Sequence, residues 1–463
     1  MSASALWADL REAVRGSQQN YTEGPIGRAV VLLAVPMVLE MVMESVFAVA
    51  DVFYVSRLGP EAVATVGLTE TLITLVYTIA MGLSIGVTAT VSRRIGERDP
   101  EGAARAAVQA ISVGIAIAAL IGVGGALYAP QLLRLMGASP GVIAMGSRYT
   151  AVMLGGNVVI MLLFLINAIF RGAGDPAVAM RVLWLANGIN IVLAPCLIFG
   201  PGPFPRLGVT GAAIATTIGR GIGVLVQLHL LTRPDGRVTV ARHHLELDPA
   251  AMWRLVRLSS TATLQVFIAT ASWIGLVRVL ATFGDAALAG YTIAIRVIIF
   301  AIMPSWGLGN AAATMVGQGL GAKKPDRAER AVWIAARYNF VFLGSIGLVF
   351  VFGAEGIVRL FTSDPAVSGY AVDCLRIVSL GFPLYAYGMI LEQSFNGAGD
   401  AWTPTWINLG CFWAFEIPLA WLVAVRMNVG PVAVFSAITA AYCMTAVVSW
   451  VLFRRGRWKL RMV

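Results

Sequence analysis

Apolar runs follow one another down nearly the whole of this 463-residue chain, at about 30 to 55, 63 to 91, 106 to 128, 143 to 169, 180 to 199, 208 to 231, 256 to 282, 289 to 315, 331 to 353, 373 to 395, 405 to 425 and 431 to 453. Each is near the length that crosses the hydrocarbon core of a bilayer, where a backbone out of reach of water must satisfy its own hydrogen bonds as a helix. The pattern leaves one fold class, an all-α polytopic membrane protein with about twelve transmembrane helices. Composition agrees: 58% of residues are hydrophobic and only 13% charged.

A net charge of +10 would suit nucleic acid if it covered one soluble face. Here the basic residues fall at alternate connections: Arg93, Arg94, Arg98 and Arg105 after the second run, Arg171 and Arg181 after the fourth, Arg233 and Arg237 after the sixth, Lys323 and Lys324 after the eighth, and Arg454, Arg455 and Arg457 after the last. The positive-inside rule then predicts a multi-pass protein of the cell (inner) membrane with both termini in the cytoplasm. No nucleic-acid partner is expected. His243 and His244 lie in a polar stretch with no carboxylate or cysteine cluster beside them in sequence, so they read as solvated loop residues, and no metal or cofactor is expected.

The hexapeptide FRGAGD at 170 to 175 reappears as FNGAGD at 395 to 400, an offset of 395 − 170 = 225. The same offset, without a gap, pairs 82 to 100 with 307 to 325 and LGPEAVA at 58 to 64 with FGDAALA at 283 to 289. A half of this length carries six spans, and an even number returns the chain to its starting side. The halves are therefore parallel repeats, which predicts two six-helix lobes related by a pseudo-two-fold along the membrane normal, with a solute site near the midplane. The expected organisation is a cytoplasmic tail at 1–29, an N-lobe at 30–231, a cytoplasmic linker at 232–255, a C-lobe at 256–453 and a basic tail at 454–463.

The first run carries Glu40, Glu44 and Asp51. At about 100° per residue these three acids fall within roughly 40° on one helical face. A charge at the bilayer centre costs on the order of 2.5 to 3.5 kcal/mol, so such a stripe is expected to face the lobe interior or a wet cavity. Glu40 and Glu44 are one turn apart, and sharing a proton would relieve the repulsion between them. The stripe reads as a chain of protonatable or cation-binding groups. In the fifth run Asn187 and Asn190 precede Pro195, which opens the helix locally; their amides offer oxygens to a cation or partners to a carboxylate. Further polar candidates in the first half are Glu70, Asn157, Thr216, Thr217 and Arg220. The second half does not repeat the stripe, since Gln265, Ala269 and Leu276 stand opposite the acids. It holds Arg278, Arg296, Glu392 and Glu416, read either as compensating pairs or as substrate groups. A substrate cavity is expected to draw on Glu70, Asn157, Gln265, Arg278, Arg296 and Glu392.

Enzyme and motor signatures are missing. There is no G-x-x-x-x-G-K-[ST], no H-E-x-x-H and no G-x-S-x-G. Transport, not catalysis, is expected, with its energy drawn from an ion gradient.

Twelve spans in two parallel halves, ADVFYVSRLG in the first run, the FRGAGD and FNGAGD loops and NIVLAP followed by LIFG together resemble the multidrug and toxic compound extrusion (MATE) family, nearest its DinF-like branch. The resemblance covers nearly the whole chain. It implies a secondary antiporter that exports organic cations and amphiphiles against inward protons or sodium ions by alternating access, in contact with membrane lipid and able to work as a monomer. Carried over residue by residue, it makes Asp51 the coupling carboxylate, with Asn190 and Thr216 beside it. The branch usually has an acid four residues after that asparagine, where this chain has Ala194. Glu44 or Glu40 is then expected to supply the second carboxylate, and a site with fewer acids suits a proton better than sodium. The other reading is a flippase for lipids or lipid-linked precursors from the same wider superfamily, which would need an arginine-lined lateral cavity to which Arg278 and Arg296 would contribute.

Overall fold

A computed structural model of the chain describes residues 3–17 and 19–461; residues 1, 2 and 18 of the expected N-terminal tail and 462 and 463 of the basic tail lie outside the described residues. The described residues form helices and connections, with no strand among them. In chain order the α-helices are α1 (Ala3–Arg15), α2 (Ile26–Ser56), α3 (Pro60–Gly96), α4 (Pro100–Leu127), α5 (Ala129–Leu135), α6 (Pro140–Gly155), α7 (Asn157–Ala173), α8 (Pro176–Phe199) and α9 (Val209–Leu231). There follow α10 (Pro249–Leu280), α11 (Asp285–Gly321), α12 (Pro325–Arg359), α13 (Pro365–Leu380), α14 (Phe382–Gly397), α15 (Trp402–Asn408), α16 (Ile417–Trp421) and α17 (Pro431–Arg454). After α15 and again after α16 the helix widens into π-helical turns, at Leu409–Glu416 and Leu422–Arg426.

Eleven of these helices or merged helices are long and apolar enough to cross a membrane, and α13 with α14, bent by 58° at their junction, supply a twelfth. The expected runs are thus present, with α6 and α7 together forming the fourth. Local sequence explains most of the boundaries. Pro60, Pro100, Pro140, Pro176, Pro325, Pro365 and Pro431 open their helices, a position where the missing N–H has no partner to lose and φ is already helical. Asp99 caps α4 by accepting from the Gly102 N–H at 2.8 Å.

The duplication is visible in the backbone itself. Left-handed residues recur in pairs: Gly59 (φ 99°) with Gly284 (φ 92°), Arg98 (φ 61°) with Lys323 (φ 57°), and Gly174 (φ 86°) with Gly399 (φ 80°). Each pair has the offset of the sequence repeat, as in 323 − 98 = 225. Arg98 and Lys323 are the informative pair, because a left-handed conformation costs a residue with a Cβ roughly 1–2 kcal/mol, yet both halves keep it at the turn before the proline that opens their third span.

Two compact units result. One comprises residues 1–19 and 39–263, the other 20–38 and 264–463. Compared with the expected lobes, the first unit also takes in the 232–255 stretch, and the second takes in the beginning of α2. Specific contacts account for both differences. In the first unit the buried Gln109 of α4 donates to the Glu246 carbonyl (2.8 Å) and accepts from the Asp248 N–H (3.1 Å). Arg237 donates to the carbonyls of Ser17 and Gln19 at 2.8 and 2.6 Å. In the second unit Gly307 of α11 lies against the backbone of Met37 and Val38, and Arg327 donates to the carbonyls of Tyr21, Glu23 and Gly24. The core of the first unit is built from α3, α4, α7, α8 and α9, and that of the second from α10 to α14 and α17.

The aspartates that end the two GAGD loops both lie near arginines. Asp400 accepts from Arg461 at 3.1 Å and from the Thr403 hydroxyl at 2.7 Å. Asp175 lies near Arg237 and Arg181; burial pushes its carboxyl above the ordinary range, and the two arginines pull it back only in part.

Candidate functional site

The acidic stripe of α2 lies in the first unit, and each of its glutamates has a counter-ion. Glu40 is 1% exposed. Its Oε1 accepts from Arg171 Nη1 at 2.7 Å and from Asn167 Nδ2 at 3.0 Å, both on α7. Gln227 of α9 donates in turn to the side-chain amide oxygen of Asn167. Glu44 accepts from Arg220 Nη2 of α9 at 3.2 Å and from Asn187 Nδ2 of α8 at 3.0 Å. The Arg220 guanidinium also donates to the Tyr77 hydroxyl of α3 at 2.6 Å, and sits 5.4 and 5.6 Å from the ring centres of Phe47 and Tyr77. These are the distances of a cation held by aromatic faces.

The pairing corrects two expectations. Glu40 and Glu44 do not form a proton-sharing dyad, because each already has an arginine. Arg171, counted from sequence among the cytoplasmic loop cations, is buried within α7. The physical reason is the cost of an unpaired ion in a low dielectric, which a facing guanidinium offsets.

Asp51 differs from both glutamates. It reaches no hydrogen-bond donor with either oxygen, whereas Glu40 leaves only its Oε2 unpartnered; the Oδ1 of Asp51 is buried without a partner among the described residues. Arg220 is an opposing charge within its electrostatic reach, and the Nε of Arg220 is likewise buried and unpartnered. Asn190 donates to Thr216 Oγ1 at 2.8 Å, joining α8 to α9. Small residues make this closeness possible: a Cβ on Gly219 would stand 2.6 Å from the Ala186 carbonyl oxygen, so the two helices pack backbone against backbone. The adjacent residue in sequence is Arg220. Ala194 is fully buried in an apolar cluster with Val55 and Tyr149, where the family pattern expects an acid.

The residues assigned from sequence to a substrate cavity divide between the two units, Glu70 and Asn157 in the first and Gln265, Arg278, Arg296 and Glu392 in the second. Asn157 is a helix tie: fully buried, it donates to the carbonyls of Ala118 and Leu154. Glu70 is exposed on α3. In the second unit Gln265 is buried with an unpartnered Oε1, and Glu392 is partly buried with the same feature. Arg278 and Arg296 are exposed and form no ion pair with Glu392 or Glu416 among the described residues, so the compensating-pair reading does not hold.

The histidines also have a partner that sequence proximity hid. Glu101, at the start of α4, lies 3.1 Å from His243 Nε2 and 2.6 Å from His244 Nε2. These three could be mistaken for a metal site. However, His244 Nδ1 accepts the Ala241 N–H at 2.9 Å, which leaves the ring proton on Nε2, directed at Glu101. A metal-bound histidine donates from its other nitrogen instead.

Sequence reasoning missed Phe47 and Tyr77 as the aromatic seat, and Asn167 and Gln227 as the shell of Glu40. One signal was available: three acids in one half call for cations in the same half, and Arg171 and Arg220 lie in or beside its spans.

Comparison with known proteins agrees with this architecture. The family profile described as MatE matches residues 36–196 and again 262–422, once in each half. The probable multidrug resistance protein YoeA of Bacillus subtilis is 26% identical over 432 residues, covering 92% of this chain and 93% of that protein. The probable multidrug resistance protein NorM of Thermotoga maritima is 24% identical over 446 residues, covering 95% and 94%. A solved structure described as the outward-facing conformation of a multidrug resistance MATE family transporter of the MOP superfamily superposes with a TM-score of 0.88 at 25% identity, covering 98% of each chain. With twelve spans in duplicated halves and the profile matched in both, the chain belongs to the MatE family of membrane transporters.

Proposed function

We propose that the chain is a secondary active multidrug efflux antiporter that exports organic cations and amphiphiles in exchange for protons. The relatives' descriptions as multidrug resistance proteins support the efflux reading. One observation carries the coupling: Glu40 and Glu44 each contact an arginine, at 2.7 and 3.2 Å, whereas Asp51 touches neither an arginine nor a hydrogen-bond donor among the described residues. Asp51 is therefore the acid free to take and release a proton during the cycle. Sodium is the less favoured ion, because it needs several oxygens held together, and Ala194 removes one. The basic connections support a cell-membrane protein with cytoplasmic termini, and two lobes within one chain support its working as a monomer.

The test is efflux of ethidium from proteoliposomes under an imposed pH gradient and, separately, a sodium gradient. Proton-driven efflux is expected for the native chain and is expected to be lost in Asp51→Asn. Efflux driven by sodium alone, or full proton-driven efflux in Asp51→Asn, would overturn this assignment. Movement under neither gradient, together with tight lipid binding, would favour the flippase reading.

A further inference from the structure

Arg220 presents an unusual arrangement for a site that would receive cations. Its guanidinium, 3% exposed, occupies an acid and aromatic seat of Glu44, Tyr77 and Phe47. Such a seat would suit an organic cation. Glu44 is not sealed by this contact, since 22% of its side chain remains exposed. About 10 Å further along α2, at ~1.5 Å per residue, stands Asp51. Arg220 and Asp51 thus sit within electrostatic reach of each other, each with one buried polar atom unpartnered.

Counting charge makes the consequence plain. The titratable and charged groups around the pair are Glu40, Glu44 and Asp51 on α2, Glu70 and Tyr77 on α3, and Tyr149 on α6, while α8 faces them with the amides Asn187 and Asn190. Glu40 is cancelled by Arg171, and Glu70 is exposed. What remains is the trio Glu44, Asp51 and Arg220. With Asp51 ionised the trio carries one net negative charge; with Asp51 protonated it carries none.

Resting on the proton-antiport reading above, we propose that Arg220 is the specificity-determining residue of this site: a resident counter-ion that sets the charge of the trio so that one proton exchanges for one monovalent organic cation. When Asp51 releases its proton to the aqueous side, Arg220 is drawn toward it, and Glu44 is left to the incoming cation. When Asp51 takes up a proton, Arg220 returns to Glu44 and displaces that cation. Without Arg220 the trio would carry one extra negative charge at every pH, would hold a cation even with Asp51 protonated, and would accept a dication.

The experiment is equilibrium binding of ethidium, a monocation, and propidium, its dicationic relative, to purified full-length protein in acid and in mildly alkaline buffer. The native chain is expected to bind ethidium at least about tenfold more tightly in the alkaline buffer, because one net charge appears in a low dielectric, and to bind propidium poorly. Arg220→Gln is expected to retain ethidium in acid and to gain propidium binding, while Arg220→Lys keeps the native pattern. Glu44→Gln is expected to lose ethidium, and Glu44→Gln with Arg220→Gln, which restores the native net charge, to regain pH-dependent ethidium binding. That double variant compared with Glu44→Gln alone reads the same charge should Arg220→Gln not fold. An unchanged pH profile and no propidium binding in Arg220→Gln, or no recovery in the double variant, would overturn the proposal. Loss of proton-driven transport in Asp51→Asn with such a result would sink this inference alone. Full transport in Asp51→Asn would sink the antiport reading beneath it.

Discussion

In the first unit Glu40 and Glu44 each touch an arginine, at 2.7 and 3.2 Å. In the second unit Glu392 and Glu416 reach no cation among the described residues. Their surroundings are tyrosines and small polar groups: Tyr385 and Tyr442 stack at 3.9 Å, and both lie within the electrostatic reach of Glu416. The two units share three left-handed turns to the residue, yet handle charge in opposite ways. Duplication has preserved the backbone turns, where sterics leave few alternatives, and has let the buried chemistry diverge, where a pair can be gained or lost by single substitutions.

The largest expected effect breaks a pair in the first unit. Arg171→Ala leaves Glu40 buried without its counter-ion and is expected to destabilise the protein by about 3–5 kcal/mol, read as a drop in melting temperature in detergent. Adding Glu40→Gln should recover most of that loss, and a failure to recover would mean that Arg171 acts through packing. The matching change in the second unit, Glu416→Gln, strands no cation. It is expected to shift stability by no more than about 1 kcal/mol, measured in the same way; a loss as large as that of Arg171→Ala would show that the second unit also depends on an ion pair.

The smallest effect concerns the loops. Folding raises the carboxyl pKa of Asp175 through burial, so the folded chain binds that proton better than the unfolded one. Its stabilising contribution is present at low pH and fades as pH rises through the folded value. Asp175→Asn is therefore expected to gain stability relative to the native chain as pH rises, and to match it in acid. Melting curves across pH would show this, and a constant difference would contradict it.

Much of the fold was legible because membrane insertion imposes a strong pattern: spans, repeat and the face shared by Glu40, Glu44 and Asp51 follow from hydropathy and helical period. The fold details that escaped are deviations from regular period. The π-helical turns at Leu409–Glu416 and the bend between α13 and α14 leave the apolar pattern intact. The site was legible on one side only. The acids were conspicuous in an apolar run, but their partners lie far away in sequence. Arg171 looked like a loop cation because it precedes a glycine-rich turn, and Glu101 stands more than a hundred residues before the histidines it binds. Asn157 misled for the opposite reason: a lone amide in a span reads as functional, whereas here its donors are taken up by the carbonyls of Ala118 and Leu154.

The sequence separations within the acid pairs also set a schedule for making the protein. Glu40 waits for Arg171, 131 residues later, and Glu44 for Arg220, 176 residues later. At a synthesis rate of roughly 5–20 residues per second, the first delay is about 7 to 26 s and the second about 9 to 35 s. For that interval the opening helix carries acids with no counter-ion. It must either hold them protonated or linger beside the insertion machinery until its partners emerge, so the order of synthesis is itself a constraint on where this chain can keep its charges.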